Sequence, residues 1–254
     1  MLYIVVLCIL DSLLLVSGYS SKRGIGLVPD NWSNPGNPSF LCDDMKAIGP
    51  VDWWYDWGWA DIHGWTGPQY SCPGGSGPPG FVPILRKHEY RDASSLPDGN
   101  FDAVLGFNEP NRHDQDNVSP EWVAGEWINI QARFPNKTLV SPSPVPCTGN
   151  CNGGDRFQWF DSFFKACKKL GGCRVDFIAT HIYSCSADHT MKVLEDLYSA
   201  YGRKIWLTEF ACHMTRDPNV IKQYMQEVIP RLEAADFVDR YAWFASRFAT
   251  QVSI

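Results

Sequence analysis

Two glutamates at the ends of apolar segments could act as a catalytic pair. Glu109 closes the segment Ala103–Glu109 and precedes a proline, and Glu209 lies in the segment Ile205–Cys212. One carboxyl group can protonate a leaving oxygen while a second attacks the neighbouring carbon or activates water, which is the chemistry of glycoside hydrolysis. A single strand-end glutamate is more often simply solvated or bound to a metal. The prediction of a two-carboxylate site therefore depends on both glutamates reaching one cavity.

Polar side chains near the two glutamates in the sequence fit supporting roles. Asn108 precedes Glu109 and is expected to bond a sugar 2-hydroxyl, an interaction that strengthens in the transition state. Tyr183 and His181 end the apolar segment that precedes the one with Glu209. The Tyr183 hydroxyl is expected to orient the Glu209 carboxylate, and His181 lies on the same face. A capping or core role is the alternative for each of them.

Aromatic residues are plentiful enough to line a groove. The chain has 11 Trp residues, and five of them lie between positions 53 and 65. Flat aromatic faces suit sugar rings, although a Trp-rich core would give the same composition. Alternation along the second apolar segment turns Trp54 toward the opposite face. The expected sugar-stacking residues are Trp53, Tyr55, Trp57 and Trp243.

Alternating apolar and helical segments provide the elements that position these residues. The predicted strands are Arg23–Leu27, Val51–Trp57, Phe81–Leu85, Ala103–Glu109, Thr138–Ser143, Val175–Tyr183, Ile205–Cys212 and Val238–Ala245. Predicted helices begin at the Ser119-Pro120 and Asp217-Pro218 pairs, at Phe157 and near His189. This alternation is typical of an α/β fold with a parallel sheet, and eight strands favour a single-domain (β/α)8 TIM barrel.

Barrel topology would bring the two glutamates to one cavity. Active sites of such barrels lie at the carboxyl ends of the strands, and the fourth and seventh strands face each other there. Alternation predicts that Phe107 shares the face of Glu109 and that Leu207 shares the face of Glu209. Only residues 247–254 follow the last strand, so the eighth helix is expected to be missing. The Gly/Pro-rich segment Cys72–Gly80 predicts an irregular second crossover.

Composition excludes several function classes. Charged residues make up 20% of the chain and aromatic residues 14%, which excludes intrinsic disorder. A net charge of −6 without a basic run argues against nucleic acid as a partner. Gly24 and Gly26 lie inside the first predicted strand, so dinucleotide binding lacks support. No paired C-x-x-C or H-E-x-x-H spacing indicates zinc, and we expect no metal or organic cofactor because two carboxylates suffice.

The amino-terminal residues 1–18 predict a secretory signal peptide. Their apolar stretch is broken only by Asp11, ends in the small residues Ser17 and Gly18, and is too short to cross a bilayer. An uncleaved membrane anchor is the alternative. The prediction is a secreted, extracellular protein in which residues 19–254 form the catalytic domain, with no membrane association after signal removal.

Cysteine usage agrees with a secretory route. Eight cysteines remain after Cys8 leaves with the signal, and an even number in a secreted chain suggests disulfides whose pairing spacing alone does not fix. The favoured pairs are Cys147 with Cys151, Cys167 with Cys173, and Cys185 with Cys212, which leaves Cys42 with Cys72. Asn31 and Asn136 lie in sequons for N-linked glycans, so we expect a glycoprotein.

Seven strings, in chain order, resemble glycoside hydrolase family 128, secreted β-1,3-glucanases with a (β/α)8 barrel of clan A. The strings are Trp53–Trp57, Phe81–Pro83, Leu105–Asn111, Val140–Pro142, Val175–Ala179 with His181 and Tyr183, Ile205–Cys212, and Arg240–Phe244. The resemblance spans roughly Lys22 to Phe244. Any one string is weak evidence, whereas seven on successive predicted strands are specific.

The resemblance implies Glu109 as general acid/base and Glu209 as nucleophile, with the anomeric configuration retained. It thereby implies a retaining endo-β-1,3-glucanase whose partner is β-1,3-glucan or a related polysaccharide. We also expect a monomer. Two alternatives stay open. One is a noncatalytic β-glucan-binding protein, and the other is a clan A hydrolase of another polysaccharide such as mannan or cellulose. The carboxylate pair defines the reaction but does not select the sugar.

Overall fold

The computed structural model of the chain describes residues 20–27, 46, 48–59, 80–96 and 98–246. Its strands are β1 (Arg23–Gly26), β2 (Trp53–Tyr55), β3 (Ala103–Leu105), β4 (Thr138–Val140), β5 (Ile178–Tyr183), β6 (Ile205–Ala211) and β7 (Val238–Phe244). Its helices are α1 (Pro120–Arg133), α2 (Arg156–Lys169), α3 (Ala187–Tyr201) and α4 (Pro218–Ala234), with a 3-10 turn at Ala93–Ser95. The fold is therefore an α/β fold with parallel strands and helices, as the sequence predicts.

Two parallel sheets hold the seven strands. Five strands pair in the order β2-β1-β7-β6-β5, and β3 pairs with β4. Single parallel bridges connect Trp54 to Phe81, Ile84 to Leu105, and Val140 to Phe177. The segment 81–85 thus lies between β2 and β3. Phe177, which directly precedes β5, pairs with the last residue of β4.

The third predicted strand, Phe81–Leu85, forms isolated bridges instead of a continuous ladder. The Val82 N–H donates to the Trp54 carbonyl at 2.9 Å, and the Leu105 N–H donates to the Pro83 carbonyl at 2.9 Å. Pro83 has no N–H, so the middle of this segment cannot donate to a neighbouring strand. The expectation of a regular strand here is corrected for that reason.

The four predicted helices are present, and side-chain caps fix where they begin. The Ser119 hydroxyl accepts the Trp122 N–H at 3.2 Å just before the first residue of α1. The Asp155 carboxylate caps α2 through the Gln158 N–H at 3.1 Å. At its other end α3 stops at Gly202, whose φ of 62° is left-handed and favours glycine.

Buried side chains form two clusters, one inside the strands and one between strands and helices. The inner cluster consists of Trp53, Tyr55, Val82, Ile84, Ala103, Leu105, Val140, Ala179, Trp206 and Ala242. It draws on every strand except β1, which contributes glycines instead. A Cβ at Gly24 would lie 2.4 Å from the Trp53 ring, and one at Gly26 would lie 2.8 Å from the Trp57 ring. These glycines leave room for two tryptophans of the neighbouring strand.

A β-bulge in β6 turns Glu209 toward the inner side of the sheet. Leu207 belongs to the outer cluster, so plain alternation would turn Glu209 outward as well. Leu207 pairs with Tyr241 while Phe210 pairs with Trp243, so β6 carries one residue more than β7 over this stretch. The prediction that Leu207 and Glu209 share a face is therefore wrong, because the bulge reverses the alternation between them.

The other predicted face is also corrected. Phe107 packs edge-to-face on Trp122 of α1 at a centroid distance of 5.4 Å, whereas Leu105 belongs to the inner cluster. The strand β3 ends at Leu105, so the period of two does not continue to Glu109. Glu109 instead reaches the inner side from an irregular segment.

Three of the favoured disulfides are present: Cys147–Cys151, Cys167–Cys173 and Cys185–Cys212. The last one joins the ends of β5 and β6, next to Tyr183 and Glu209. The signal peptide, the Cys42–Cys72 pair, residues 72–79, Asn31 and residues 247–254 lie outside the described residues. The sequon residue Asn136 is exposed. No helix in the described part of the chain has the length and apolar composition that crossing a membrane requires.

We predict that Gly106→Ala destabilises the fold because β3 and the segment after β4 approach closely there. A Cβ at this position would lie 2.3 Å from the Pro142 nitrogen and 2.6 Å from the Ser141 carbonyl carbon, both backbone atoms. The free energy of unfolding in denaturant, with disulfides intact, should fall by about 2 kcal/mol.

Gly125→Ala is the matched control, because a Cβ on this exposed residue of α1 meets nothing within 4 Å. It should raise the free energy of unfolding by about 0.5–1 kcal/mol. Equal stability of the Gly106→Ala protein and the unaltered protein would show that the two backbones can separate freely.

Candidate active site

The structure brings Glu109, His181 and Glu209 together in one buried cluster. One carboxylate oxygen of each glutamate and one ring nitrogen of the histidine all lie within 4.8 Å of one another. Glu109 is 6% exposed and Glu209 is 3% exposed. The two predicted carboxylates are therefore close enough to act on one bond.

Glu109 is held by a polar frame beyond β3. Its own φ is +41°, an unusual value for a residue with a side chain. The preceding Asn108 N–H donates to Asp116 Oδ2 at 2.7 Å, and Asp116 Oδ1 accepts from Arg86 Nε at 3.0 Å. The Glu109 N–H donates to Ser143 Oγ at 3.5 Å. These hydrogen bonds hold the backbone around Glu109 and so stabilise its strained conformation.

Glu209 accepts hydrogen bonds on both of its carboxylate oxygens. Trp57 Nε1 donates to Oε1 at 2.7 Å, and the Tyr55 hydroxyl, which donates to the Thr208 carbonyl at 2.8 Å, lies 3.3 Å from the same oxygen. The Tyr183 hydroxyl donates to Oε2 in a short contact. Two aromatic donors and the Tyr55 hydroxyl therefore surround one carboxylate, and hydrogen bonds donated to a carboxylate favour its ionised form.

Burial keeps the donor hydroxyls protonated. Burial first, and the negative charge of Glu209 second, raise the pKa of Tyr55 and of Tyr183 well above the usual value for tyrosine. Neither phenol can then lose its proton near neutral pH. The Tyr183 hydroxyl therefore donates to Glu209, and the Tyr55 hydroxyl to the Thr208 carbonyl, throughout that range.

His181 lies between the two carboxylates. Its Nδ1 is 2.9 Å from Glu109 Oε1 and 3.3 Å from Glu209 Oε2, and the side chain is buried. The backbone carbonyl of His181 accepts from Arg156 at 2.8 Å, and Arg156 also donates to the Pro144 carbonyl at 3.2 Å. Burial lowers the pKa of Arg156 to about 10, still far above neutrality. A buried cation thus ties the histidine strand to the loop after β4.

Asn108 is a buried amide next to Glu109, and its two polar side-chain atoms differ in their hydrogen bonding. Its Nδ2 donates to Gln115 Oε1 at 3.2 Å. Its Oδ1 is buried and has no hydrogen-bond partner among the described residues. A buried amide oxygen without a partner costs free energy, so its retention beside Glu109 fits a residue that meets a hydroxyl of a ligand.

The predicted aromatic residues fall into two groups. Trp57 and Tyr55 reach the site through their contacts with Glu209. Trp53 does not, because it is fully buried in the inner cluster, packed on Trp206 at a centroid distance of 5.2 Å. Trp54 belongs to the outer cluster, as alternation predicts.

Trp243 also lies outside the site, which corrects its predicted stacking role. Its ring packs edge-to-face on Phe210 at 5.1 Å and near Tyr224 of α4 at 6.4 Å, in the outer cluster. The next residue, Phe244, contacts Trp57 at 5.4 Å and Tyr183 at 5.4 Å. The small inward-facing Ala242 is the sequence signal that could have assigned Phe244 to the site.

Arg112 is a further site residue that the sequence analysis did not find. Its Nε lies 3.5 Å from Glu109 Oε2, and its N–H groups donate to both oxygens of Asp114. The available signal was the position of Arg112 three residues after Glu109. The Arg112 N–H donates to the Glu109 carbonyl, and this hydrogen bond turns the loop back.

Among the described residues, Glu109, His181 and Glu209 are also the group that could hold a metal ion. Aromatic donor hydrogens already point at both oxygens of Glu209, and such hydrogens repel a cation. His181 Nδ1 already lies within hydrogen-bonding distance of both carboxylates, 2.9 Å from Glu109 Oε1 and 3.3 Å from Glu209 Oε2. The arrangement suits proton transfer and nucleophilic attack better than metal binding.

Comparison with known proteins identifies the family. Residues 32–253 match the family model described as the glycosyl hydrolase catalytic core. A subgroup II endo-β-1,3-glucanase of family 128 from Sorangium cellulosum is 31% identical, with a TM-score of 0.73 over 90% of this chain and 89% of that chain. The chain belongs to glycoside hydrolase family 128. The resemblance drawn from the seven strings is confirmed, and the chain is an O-glycosyl hydrolase.

Two further known proteins are also similar to this chain. A subgroup I endo-β-1,3-glucanase of family 128 from Amycolatopsis mediterranei, solved in complex with laminaritriose, is 25% identical, with a TM-score of 0.63 over 90% of each chain. Alkali-sensitive linkage protein 1 of Schizosaccharomyces pombe is 29% identical over 238 residues, which cover 90% of this chain. The chain spans 39% of the length of that relative.

Proposed function

We propose that this family 128 protein is a secreted, retaining endo-β-1,3-glucanase with Glu109 as acid/base and Glu209 as nucleophile. The observation that carries the proposal is the asymmetry of the two carboxylates. Glu209 accepts hydrogen bonds from Trp57 and Tyr183 and lies against the Tyr55 hydroxyl, so its carboxylate is fixed in place for attack. Glu109 lacks this set of aromatic donors and faces the histidine instead.

The first half of the reaction forms a glycosyl-enzyme. A Glu209 oxygen attacks the anomeric carbon, the bond from that carbon to the leaving oxygen breaks, and Glu109 gives its proton to the leaving oxygen. One oxygen of each carboxyl group lies within 4.8 Å of the other, which supports the short separation of about 5–5.5 Å that is typical of retaining enzymes.

The second half releases the sugar. Glu109 is now an anion, takes a proton from water, and the hydroxide oxygen replaces Glu209 at the anomeric carbon. His181 Nδ1 lies within hydrogen-bonding reach of an oxygen from each carboxylate. At each stage of the reaction, this nitrogen can donate a hydrogen bond to whichever of Glu109 and Glu209 is ionised.

We propose that the parallel strands close into the (β/α)8 barrel expected from the sequence. The bridges at Phe81, Ile84 and Phe177 support closure, since they link the two sheets on both sides. The inner cluster also receives side chains from both sheets and from the segment 81–85. Closure explains how residues from β2, β5 and β6 converge on one carboxylate.

The substrate proposal combines the groove with the relatives. Trp57, Phe244 and Tyr183 form a continuous edge-to-face series beside Glu209, a surface of the kind that contacts sugar rings. The similar enzymes from Sorangium cellulosum and Amycolatopsis mediterranei act on β-1,3-glucan in the endo mode. Three disulfides and the exposed sequon residue Asn136 support an extracellular glycoprotein. We further propose that the enzyme acts as a monomer.

We predict that the protein releases reducing ends from linear β-1,3-glucan and not from mannan or cellulose. Endo action requires that early products be a ladder of oligosaccharides of several lengths, which chromatography of short time points resolves. A single small product from the first minutes would contradict the endo mode alone. Release from mannan or cellulose in place of β-1,3-glucan would contradict the substrate, and binding of glucan without any turnover would favour a noncatalytic glucan-binding protein.

We predict that Glu209→Gln lowers kcat by at least about 10⁴-fold while β-1,3-oligosaccharides still bind, because the amide keeps the shape of the acid but cannot attack. Binding is measured by calorimetry on the folded variant. Glu227→Gln on the exposed side of α4 is the matched control and should keep normal turnover. Undiminished kcat in Glu209→Gln would remove the nucleophile assignment.

A further inference from the structure

A charged pair at the mouth of the site has no part in the two-carboxylate mechanism. Arg112 Nε and Nη2 donate to the two oxygens of Asp114 at 2.9 and 2.6 Å. The side chains of Arg112 and Asp114 are 44% and 46% exposed, whereas that of Glu109 is 8% exposed. The pair therefore stands between solvent and the buried acid/base.

The two oxygens of Glu109 face different groups. Oε1 lies 2.9 Å from His181 Nδ1, which in turn lies 3.3 Å from Glu209. Oε2 lies 3.5 Å from Arg112 Nε. Arg112 thus lies against the oxygen of the acid/base that does not face the histidine and the nucleophile.

The mechanism assigns a sugar to each side of the scissile bond. The sugar that becomes bonded to Glu209 lies over the nucleophile, and the departing sugar carries the oxygen that Glu109 protonates. A departing sugar must therefore lie beside Glu109. The exposed group next to Glu109 in this direction is the Arg112–Asp114 pair.

We propose that Arg112 and Asp114 bind hydroxyl groups of the first sugar on the leaving-group side. This inference rests on the proposed function, since it needs Glu109 as the acid/base. A guanidinium carries five N–H donors, so donors remain on Nη1 beyond those that contact Asp114 and Glu109. The Asp114 oxygens accept hydroxyl hydrogens. Neighbouring hydroxyls of a glucosyl unit both donate and accept, and they match such a pair.

The pair is prepared for this role before substrate arrives. Hydrogen bonds from Arg112 lower the pKa of Asp114, and the same hydrogen bonds raise the pKa of Arg112, so both groups are charged at neutral pH. Hydrogen bonds to charged groups are stronger than those between neutral groups. The two-point contact with Asp114 fixes the plane of the guanidinium, so little conformational entropy is lost when a sugar binds.

The test compares two substrates that differ only in the leaving group. When laminaripentaose is cleaved into a tetraose and glucose, the leaving group is glucose. Phenyl β-laminaritetraoside has the same tetraose but releases phenol, which also takes up a proton and has no sugar hydroxyls. We expect Arg112→Gln and Asp114→Asn each to lower kcat/KM for this cleavage of the pentaose by about tenfold or more. In Asp114→Asn, which removes no contact of the chain with Glu109, the value for the phenyl glycoside should change less than about twofold, since phenol offers no sugar hydroxyls to the pair.

Arg231 and Asp188 supply the matched control. They form an exposed pair between α4 and α3 at 2.6 Å, and Arg231→Gln or Asp188→Asn should change neither value. Equal losses on both substrates would overturn the inference, because no contact with a departing sugar would then have been lost. A shifted pH profile of kcat/KM for the pentaose in Asp114→Asn would also overturn it, because the pair would then act on the proton of Glu109. Normal rates on both substrates in Arg112→Gln would also overturn it and leave the proposed function standing. Absence of turnover in the unaltered protein would remove the proposed function and this inference together.

Discussion

One imidazole, that of His181, lies within hydrogen-bonding distance of two buried carboxylates, and the rest of the structure depends on holding these three groups together. At 4.8 Å in a protein interior, two ionised glutamates would repel by roughly 3 kcal/mol at an effective dielectric constant of 20. The fold offsets this repulsion with hydrogen-bond donors aimed at each carboxylate. The aromatic donors go to Glu209, and His181 lies between the two. This division of donors matches the proposed roles of Glu209 as nucleophile and Glu109 as acid/base.

The donors come from distant parts of the chain, and the inner cluster sets where they end. Trp53 and Trp206 fill the space below the site, so the side chains above them, Tyr55 and Trp57, are directed toward Glu209. Gly24 and Gly26 are required because β1 passes directly against those tryptophan rings. Packing at one level of the sheet thus determines the hydrogen-bond geometry at the next. Substitutions well below the site are therefore expected to affect it.

Sequence patterns predicted the elements more reliably than they predicted which way side chains face. Apolar segments and helix caps such as Ser119-Pro120 depend on local chemistry, and the four helices and seven of the eight strands are where the patterns put them. The exception contains Pro83, a residue whose effect on a strand is readable in advance. The glutamates and their strand ends were predictable for the same local reasons.

Side-chain direction depended on features without a local signal. The extra residue at Thr208, opposite the Thr180–His181 step of β5, turns Glu209 inward, and no composition marks it as a bulge. The register of β7 against β6 decides that Phe244 and not Trp243 faces the site, and the small residue Ala242 is a weak local signal of it. Arg112 was missed because its role depends on how the loop after Glu109 folds back. Strand pairing and loop folding, and not residue type, determine which way these side chains face.

The most direct test of the central claim is to trap the covalent intermediate. A 2-deoxy-2-fluoro β-1,3-linked oligosaccharide with a fluoride leaving group should glycosylate the enzyme quickly and leave it slowly, because the fluorine destabilises the oxocarbenium-like transition state. Mass spectrometry of a protease digest should then place one sugar adduct on the peptide that contains Glu209, and unlabelled glucan should protect it. An adduct on Glu109, or steady hydrolysis of natural glucan with no adduct at any carboxylate, would contradict the account.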